Sequence, residues 1–131
     1  LLHSHFSTDL HLVKGVVEIT KQGIWRTEEL VPDLQVPVLH CADSELKRLE
    51  AKRCGETIAS CLDGLTRGMG LSLAGRHATV FGAGWIGSGV CHALRRLDVI
   101  PSVVDPDPIK VMEARLDGFA ASTIPREDWL G

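Results

Sequence analysis

The stretch His77 to Leu94, HATVFGAGWIGSGVCHAL, decides how this chain folds. Its apolar residues Ala78 to Phe81 read as a short strand. Glycines at 82, 84 and 87 follow with the spacing Gly-x-Gly-x-x-Gly, and Ile86, Val90, Leu94 and Leu97 then recur at helical spacing. Strand, glycine turn and helix in that order open a dinucleotide-binding unit. Gly82 is expected to permit the tight turn, Gly84 to let a pyrophosphate approach the backbone, and Gly87 to let helix and strand pack closely. The phosphates would sit on the helix N-terminus, where unpaired N–H groups and the helix dipole favour anions. Trp85 and Ile86 would contribute backbone N–H groups there, a contact that needs no particular side chain.

Working outward, the run Ile100 to Asp107, IPSVVDPD, supplies a second strand ending in an acid. Asp105 stands 18 residues beyond Gly87, close to the spacing of the ribose-binding acid in such units. A carboxylate there accepts hydrogen bonds from the adenosine ribose diol and repels a 2′-phosphate. Pro106 and Asp107 follow with no Lys or Arg between, so NAD is expected rather than NADP. The alternative is a turn residue ahead of proline. Asp107 then caps a helix with Pro108 at its first position, Ile109, Met112 and Leu116 share one side of it, and Gly118 ends it. Phe119 to Ile124 reads as a third parallel strand, and right-handed crossovers place the three in the order 3-2-1. The fold class is therefore α/β, the first mononucleotide-binding half of a Rossmann-like parallel sheet, preceded by a small α/β segment and a hinge helix. Its first strand is an apolar edge, to be covered by the N-terminal strands, another subunit or further chain.

Upstream, Gly15 to Thr20 reads as a strand, Ile24 to Val31 as a helix capped by Thr27, and Val36 to Cys41 as a strand in which Pro37 requires an edge or a place among the first residues. Asp43 and Ser44 cap a charged helix running to about Cys54. From Gly55 a second helix carries Ile58, Cys61, Leu62, Leu65 and Met69 at helical spacing, and Gly68, Gly70 and Gly75 mark a candidate hinge.

The 131 residues are 44% hydrophobic, enough for a buried core, and carry a formal charge of −3. Without a basic cluster, neither nucleic acid nor an anionic membrane is the expected partner. No run has the length of a membrane span and no signal sequence opens the chain, so the expected location is cytoplasmic. The chain begins with Leu rather than Met, which reads as a processed or trimmed product. The four cysteines at 41, 54, 61 and 91 form no CxxC pair and read as buried free thiols. His3, His5 and His11 cluster near the start, but no spacing fixes a ligand geometry and no metal site is expected.

With these segments laid out, the chain resembles the adenosylhomocysteinase (S-adenosylhomocysteine hydrolase) family from about Gly15 to Ile124. GVVEITKQGIWR is similar to the family's Gly-x-x-Glu-Glu-Thr-Thr-Thr-Gly-Val-His block, and VPVLHCADSELK to its Val-Pro-Ala-x-Asn-Val-Asn-Asp-Ser-Val-Thr-Lys segment. LDGLTRGMGLSLAGRHATVFGAGWIGSGVCHALR resembles its hinge helix, strand and glycine turn, and VVDPDPIKVMEARLDGF its acid and following helix. The resemblance implies two parts. Residues 1–62 correspond to the end of the substrate domain and the start of the hinge helix, and 63–131 to half of the NAD-binding domain. It implies NAD as cofactor, a small nucleoside or thioether substrate, and hydrolysis of S-adenosylhomocysteine to adenosine and homocysteine, a reaction of one-carbon metabolism, while the uncovered apolar edge of the half-fold leads to the expectation of a homo-oligomer. Redox chemistry at the ribose 3′-carbon is followed there by elimination and addition of water.

The same resemblance assigns Lys47 to the active-site lysine and Thr20 to one of three cofactor-contacting threonines. It also exposes departures. Ile19 stands at a catalytic glutamate, Lys21 and Gln22 at the other two threonines, Ala42 at an asparagine, and Ala51 and Lys52 at a catalytic aspartate and the asparagine after it. Each lost general acid or base typically costs ~10²–10⁴-fold in rate. The expectation is an intact cofactor platform beside a depleted acid–base set. Alternatives are an active enzyme of this lineage on another nucleoside or thioether, and a hydroxyacid-type NAD dehydrogenase.

Overall fold

A computed structural model describes residues 10–129, which fall into two compact units, one up to Lys47 and the other from Arg48.

In the first unit, strands β1 (Val16–Glu18) and β2 (Val38–His40) pair in parallel, with Val17 opposite Leu39. Parallel neighbours need a crossover, and helix α1 (Lys21–Glu29) provides it. The helix starts earlier than the expected Ile24, and its cap is Thr20 rather than Thr27. The Thr20 hydroxyl accepts a 3.0 Å bond from the Gly23 N–H and donates at 2.8 Å to the Glu18 carboxylate, which also accepts from the Thr20 N–H at 2.7 Å. Those bonds hold the Glu18 carboxyl below its ordinary range, the Thr20 hydroxyl contributing most. Gly23 lies inside the helix because a methyl group there would overlap the Glu18 side chain. Thr27 turns back to the Gly23 carbonyl at 2.8 Å. Pro37 precedes β2, consistent with its missing N–H, and its carbonyl accepts from Val16 at 2.9 Å.

Helix α2 (Glu45–Gly68) is one continuous element of 24 residues, where two helices meeting near Gly55 were expected. Ser44 caps it, its hydroxyl accepting from the Lys47 N–H at 3.2 Å. In the second unit, strands β3 (His77–Phe81), β4 (Ile100–Val104) and β5 (Ala120–Ser122) form a parallel sheet in that spatial order, which is the expected 3-2-1 arrangement. Helices α3 (Trp85–Arg95) and α4 (Pro108–Leu116) are the crossovers. Asp107 caps α4 through a 2.8 Å bond from the Ile109 N–H, and Gly118, at φ +81°, turns the chain into β5.

One core cluster joins Cys91 to Val103, Val111, Ala114, Phe119 and Ala121, and a second joins Ala59 and Leu73 to Ala93, Leu94 and Val99. On α2 and α4 the residues buried are Ala, Gly and Val, and the larger apolar side chains of both helices face outward. On α2 the buried positions are Ala51, Gly55 and Ala59, while Leu65 and Met69 are 69% and 73% exposed. On α4, Val111 and Ala114 are buried and Ile109, Met112 and Leu116 face outward. The reason on α2 is a close helix crossing. A Cβ on Gly55 would overlap the backbone of Gly89 and Val90, and one on Gly89 would lie 3.2 Å from the Ala51 carbonyl. Only small side chains permit that approach.

On the opposite face of the sheet the Thr79 hydroxyl donates to the Trp129 carbonyl at 2.7 Å. Its single hydrogen is thereby committed, so Ser102, 3.1 Å away, donates to Thr79. Ser102 is buried with its polar group satisfied. All four cysteines are free, but only Cys91 is buried; Cys41 and Cys61 are exposed and Cys54 is half-buried, a correction to the expectation of buried thiols. His3 and His5 lie outside the described residues, among which no group of His, Cys, Asp or Glu could hold a metal ion. No helix among the described residues is long and apolar enough to cross a membrane.

Candidate dinucleotide site

The candidate site is built at the carboxyl ends of β3 and β4. Gly82 leaves β3 at φ +97°, a left-handed conformation that an L side chain resists, and its N–H donates to the Val104 carbonyl at 2.8 Å. Gly84 is the N-cap of α3, with φ −65° and ψ −178°, a backbone that any residue adopts. What is particular about Gly84 is space: a Cβ there would meet nothing within 4 Å. Gly87 is the reverse, since a Cβ would overlap the Gly82 carbonyl oxygen and lie 3.7 Å from Val80 Cγ1. The three glycines thus do three different things: turn, open approach and close packing.

Ser88 makes the first bond of the helix, to the Gly84 carbonyl at 2.9 Å. The N–H groups of Trp85, Ile86 and Gly87 precede it in the first turn, where no helical carbonyl lies behind them. Trp85 is 39% and Ile86 47% exposed, so Ile86 does not join the core as its spacing suggested. The positive end of the α3 dipole opens onto the space beside Gly84.

Asp105 follows the last residue of β4 and reaches back to the turn. Its Oδ2 accepts from the Ala83 N–H at 2.7 Å and its Oδ1 from the Asp107 N–H at 2.9 Å. The second bond is the turn geometry weighed as the alternative reading; the first ties the acid to the glycine loop. One bond to each oxygen leaves lone pairs for a diol. Gly82, Gly84, Trp85, Ile86, Gly87 and Asp105 therefore lie in one neighbourhood. Thr20 and Lys47 belong to the first unit. Thr20 uses its hydroxyl hydrogen on Glu18, and Lys47 sits in the first turn of α2.

Residues 54–127 match the family model described as S-adenosyl-L-homocysteine hydrolase, NAD binding domain. The chain belongs to that family. The matched residues include the Gly82–Gly87 turn and Asp105. Relatives include adenosylhomocysteinase of Pyrococcus abyssi, 35% identical over all of this chain and 31% of the relative, and that of Aquifex aeolicus, 33% identical over 99% of the chain and 31% of the relative. S-inosyl-L-homocysteine hydrolase of Methanopyrus kandleri is 37% identical over 95% of the chain and 30% of the relative. The chain spans about a third of the length of these curated relatives of the hydrolase family.

Two features of this hydrolase-family chain escaped the sequence pattern. The Ala83 N–H donor to Asp105 carries no side-chain signal at all. The crossing of Gly55 on Gly89 had one, the small residues Ala51, Gly55 and Ala59 repeating every four positions along α2.

Proposed function

We propose that the second unit is an NAD platform whose pyrophosphate rests on the N–H groups of Trp85, Ile86 and Gly87, with Gly84 leaving the approach open and Asp105 receiving the adenosine ribose diol. The observation that carries this is the pairing of an open Gly84 position with a carboxylate fixed to the N–H of Ala83, the residue just before it in the same turn. Bound NAD would supply a hydride acceptor. The chain's residues bind and orient it: Gly82 sets the turn, Gly87 seats α3 against the strand, and Ala83 fixes the Asp105 carboxylate.

The activity proposed for the whole protein is that of its lineage, hydrolysis of a nucleosyl-homocysteine thioether. Lys47 is the one assigned catalytic residue, and Thr20 the assigned cofactor contact from the first unit. The replacements at Ile19 and Ala51 remove two carboxylates, and this supports a protein that keeps the cofactor with weak or no hydrolysis of S-adenosylhomocysteine. The relative from Methanopyrus kandleri named for the S-inosyl thioether favours a second reading, an active enzyme on a different nucleoside. The outward Ile109, Met112 and Leu116 stripe supports self-association, and the absence of a basic cluster supports neither nucleic acid nor membrane as partner. A cytoplasmic location is proposed on the same footing.

The test is to add NAD with S-adenosylhomocysteine, and separately with S-inosylhomocysteine, and to follow bound NADH absorbance and the released nucleoside. NAD binding without reduction by either thioether supports the platform alone. Reduction by the inosyl compound supports the second reading, and full turnover of S-adenosylhomocysteine contradicts the depleted acid–base set.

A further inference from the structure

A groove of about 710 Å³ runs over the outer face of α3, walled by α2 and α4. One end of it is Ala83, Gly84 and Trp85, the turn just described. Arg48, Lys52 and Glu56 enter from α2 at successive four-residue steps. The helix crossing fixes their direction. Lys52 Cα would lie 3.3 Å from a Cβ on Gly89, and Ala59 shares a buried cluster with Ala93 and Leu94. The two helices therefore advance together, and the residues of α2 before Gly55 flank the opening turns of α3. From Gly89 to Trp85 is one helical turn, about 5.4 Å, within reach of a lysine's four-carbon stem.

The charges in the groove are mostly spoken for. Glu56 accepts from Arg53 and from Arg96, each at 2.9 Å, which holds its carboxyl below the ordinary range, the Arg53 bond contributing most. Glu113 pairs with Lys110 at 3.4 Å, and Asp117 faces His92 at 3.3 Å. Lys52 has no ion pair or hydrogen bond to any described residue, and it lines the same groove as Gly84, Trp85 and Ser88. A cation near the N-terminal end of a helix is unfavourable until an anion arrives to offset it.

We propose that Lys52 is a further cofactor-binding residue, its ammonium pairing with the pyrophosphate of a dinucleotide seated on the Gly84–Gly87 turn. The inference rests on the cofactor site proposed above. The resemblance places a neutral asparagine at this position, so the charge is a feature of this chain and adds an electrostatic contact to the backbone one. Such a contact is partly solvated and sensitive to salt.

The experiment is an equilibrium titration with NAD at low and high salt for the unaltered chain, Lys52→Gln and Lys52→Arg, with thermal melting of each as the check on folding. The expected result is roughly three- to tenfold weaker binding for Lys52→Gln, with a shallower salt dependence, and recovery in Lys52→Arg. If the unaltered chain binds NAD and Lys52→Gln binds it equally well with the same salt dependence, the assignment of Lys52 is wrong while the cofactor site stands. If the folded unaltered chain binds no NAD, both fail.

Discussion

Asp105 Oδ2 and the Ala83 N–H are 2.7 Å apart, so the acid at the end of one strand is fastened to the glycine turn that ends its neighbour. The carboxylate proposed to receive the ribose diol also braces the loop proposed to hold the phosphates. Asp105→Ala is expected to weaken NAD binding about tenfold or more, since hydrogen bonds to a charged group contribute ~1.5–3 kcal/mol each, and to lower the melting temperature as the turn loosens. Titration and melting of the same sample check both parts. Unchanged affinity with a lowered melting point would make Asp105 a turn residue only.

The glycines separate binding from stability. Gly84→Ala adds a methyl group to open space, so stability is expected to change by no more than ~1 kcal/mol while NAD affinity falls. Gly87→Ala forces a methyl group onto the Gly82 carbonyl oxygen, and a cost of about 1–3 kcal/mol is expected. Denaturant unfolding of the two variants, compared with their NAD titrations, measures the contrast.

Gly55 holds α2 against α3 by backbone contact with Gly89. Gly55→Ala gains helix propensity but cannot keep that approach, and a net loss of about 1–3 kcal/mol is expected. A Gly64→Ala control, where a Cβ meets nothing within 4 Å, is expected to be neutral or slightly stabilising. Equal behaviour of the two variants would contradict the close crossing.

Burial pushes the Cys91 thiol from its usual 9.0 up to about 11, against a smaller opposing pull from Arg95. Below about pH 9 the thiol is neutral in both folded and unfolded chains. Between about pH 9 and 11 the unfolded chain ionises first, so stability falls as pH rises through that window. Cys91→Ala is expected to show a smaller fall over the same range in pH-dependent denaturation. In the native protein a thiol reagent is expected to modify Cys41 and Cys61 quickly and Cys91 only on unfolding.

The strand order, the turn and the acid were legible because each rests on a local pattern: alternating or continuous apolar runs, glycine spacing, and Asp-Pro capping. The helix faces were not. Ile109, Met112 and Leu116 are the large apolar residues of α4, and periodicity assigns large residues to the core. Here Val111 and Ala114 are buried instead, because α4 lies close on the sheet. Likewise Gly55 reads as a break between helices when only α2 is considered, and as a contact once Gly89 is opposite it. The start of α1 was missed because Glu18, at the end of a strand, completes the cap at Thr20 and occupies the space above Gly23. Tertiary partners decide all three, and no window of sequence contains them.

The most direct test of the central claim is an equilibrium titration of the purified chain with NAD, paired with Gly84→Val. A single saturable site in the unaltered chain, lost in Gly84→Val without loss of folding, is the predicted result. No saturable binding to the folded chain, or undiminished binding by folded Gly84→Val, would contradict the placement of the cofactor on this turn.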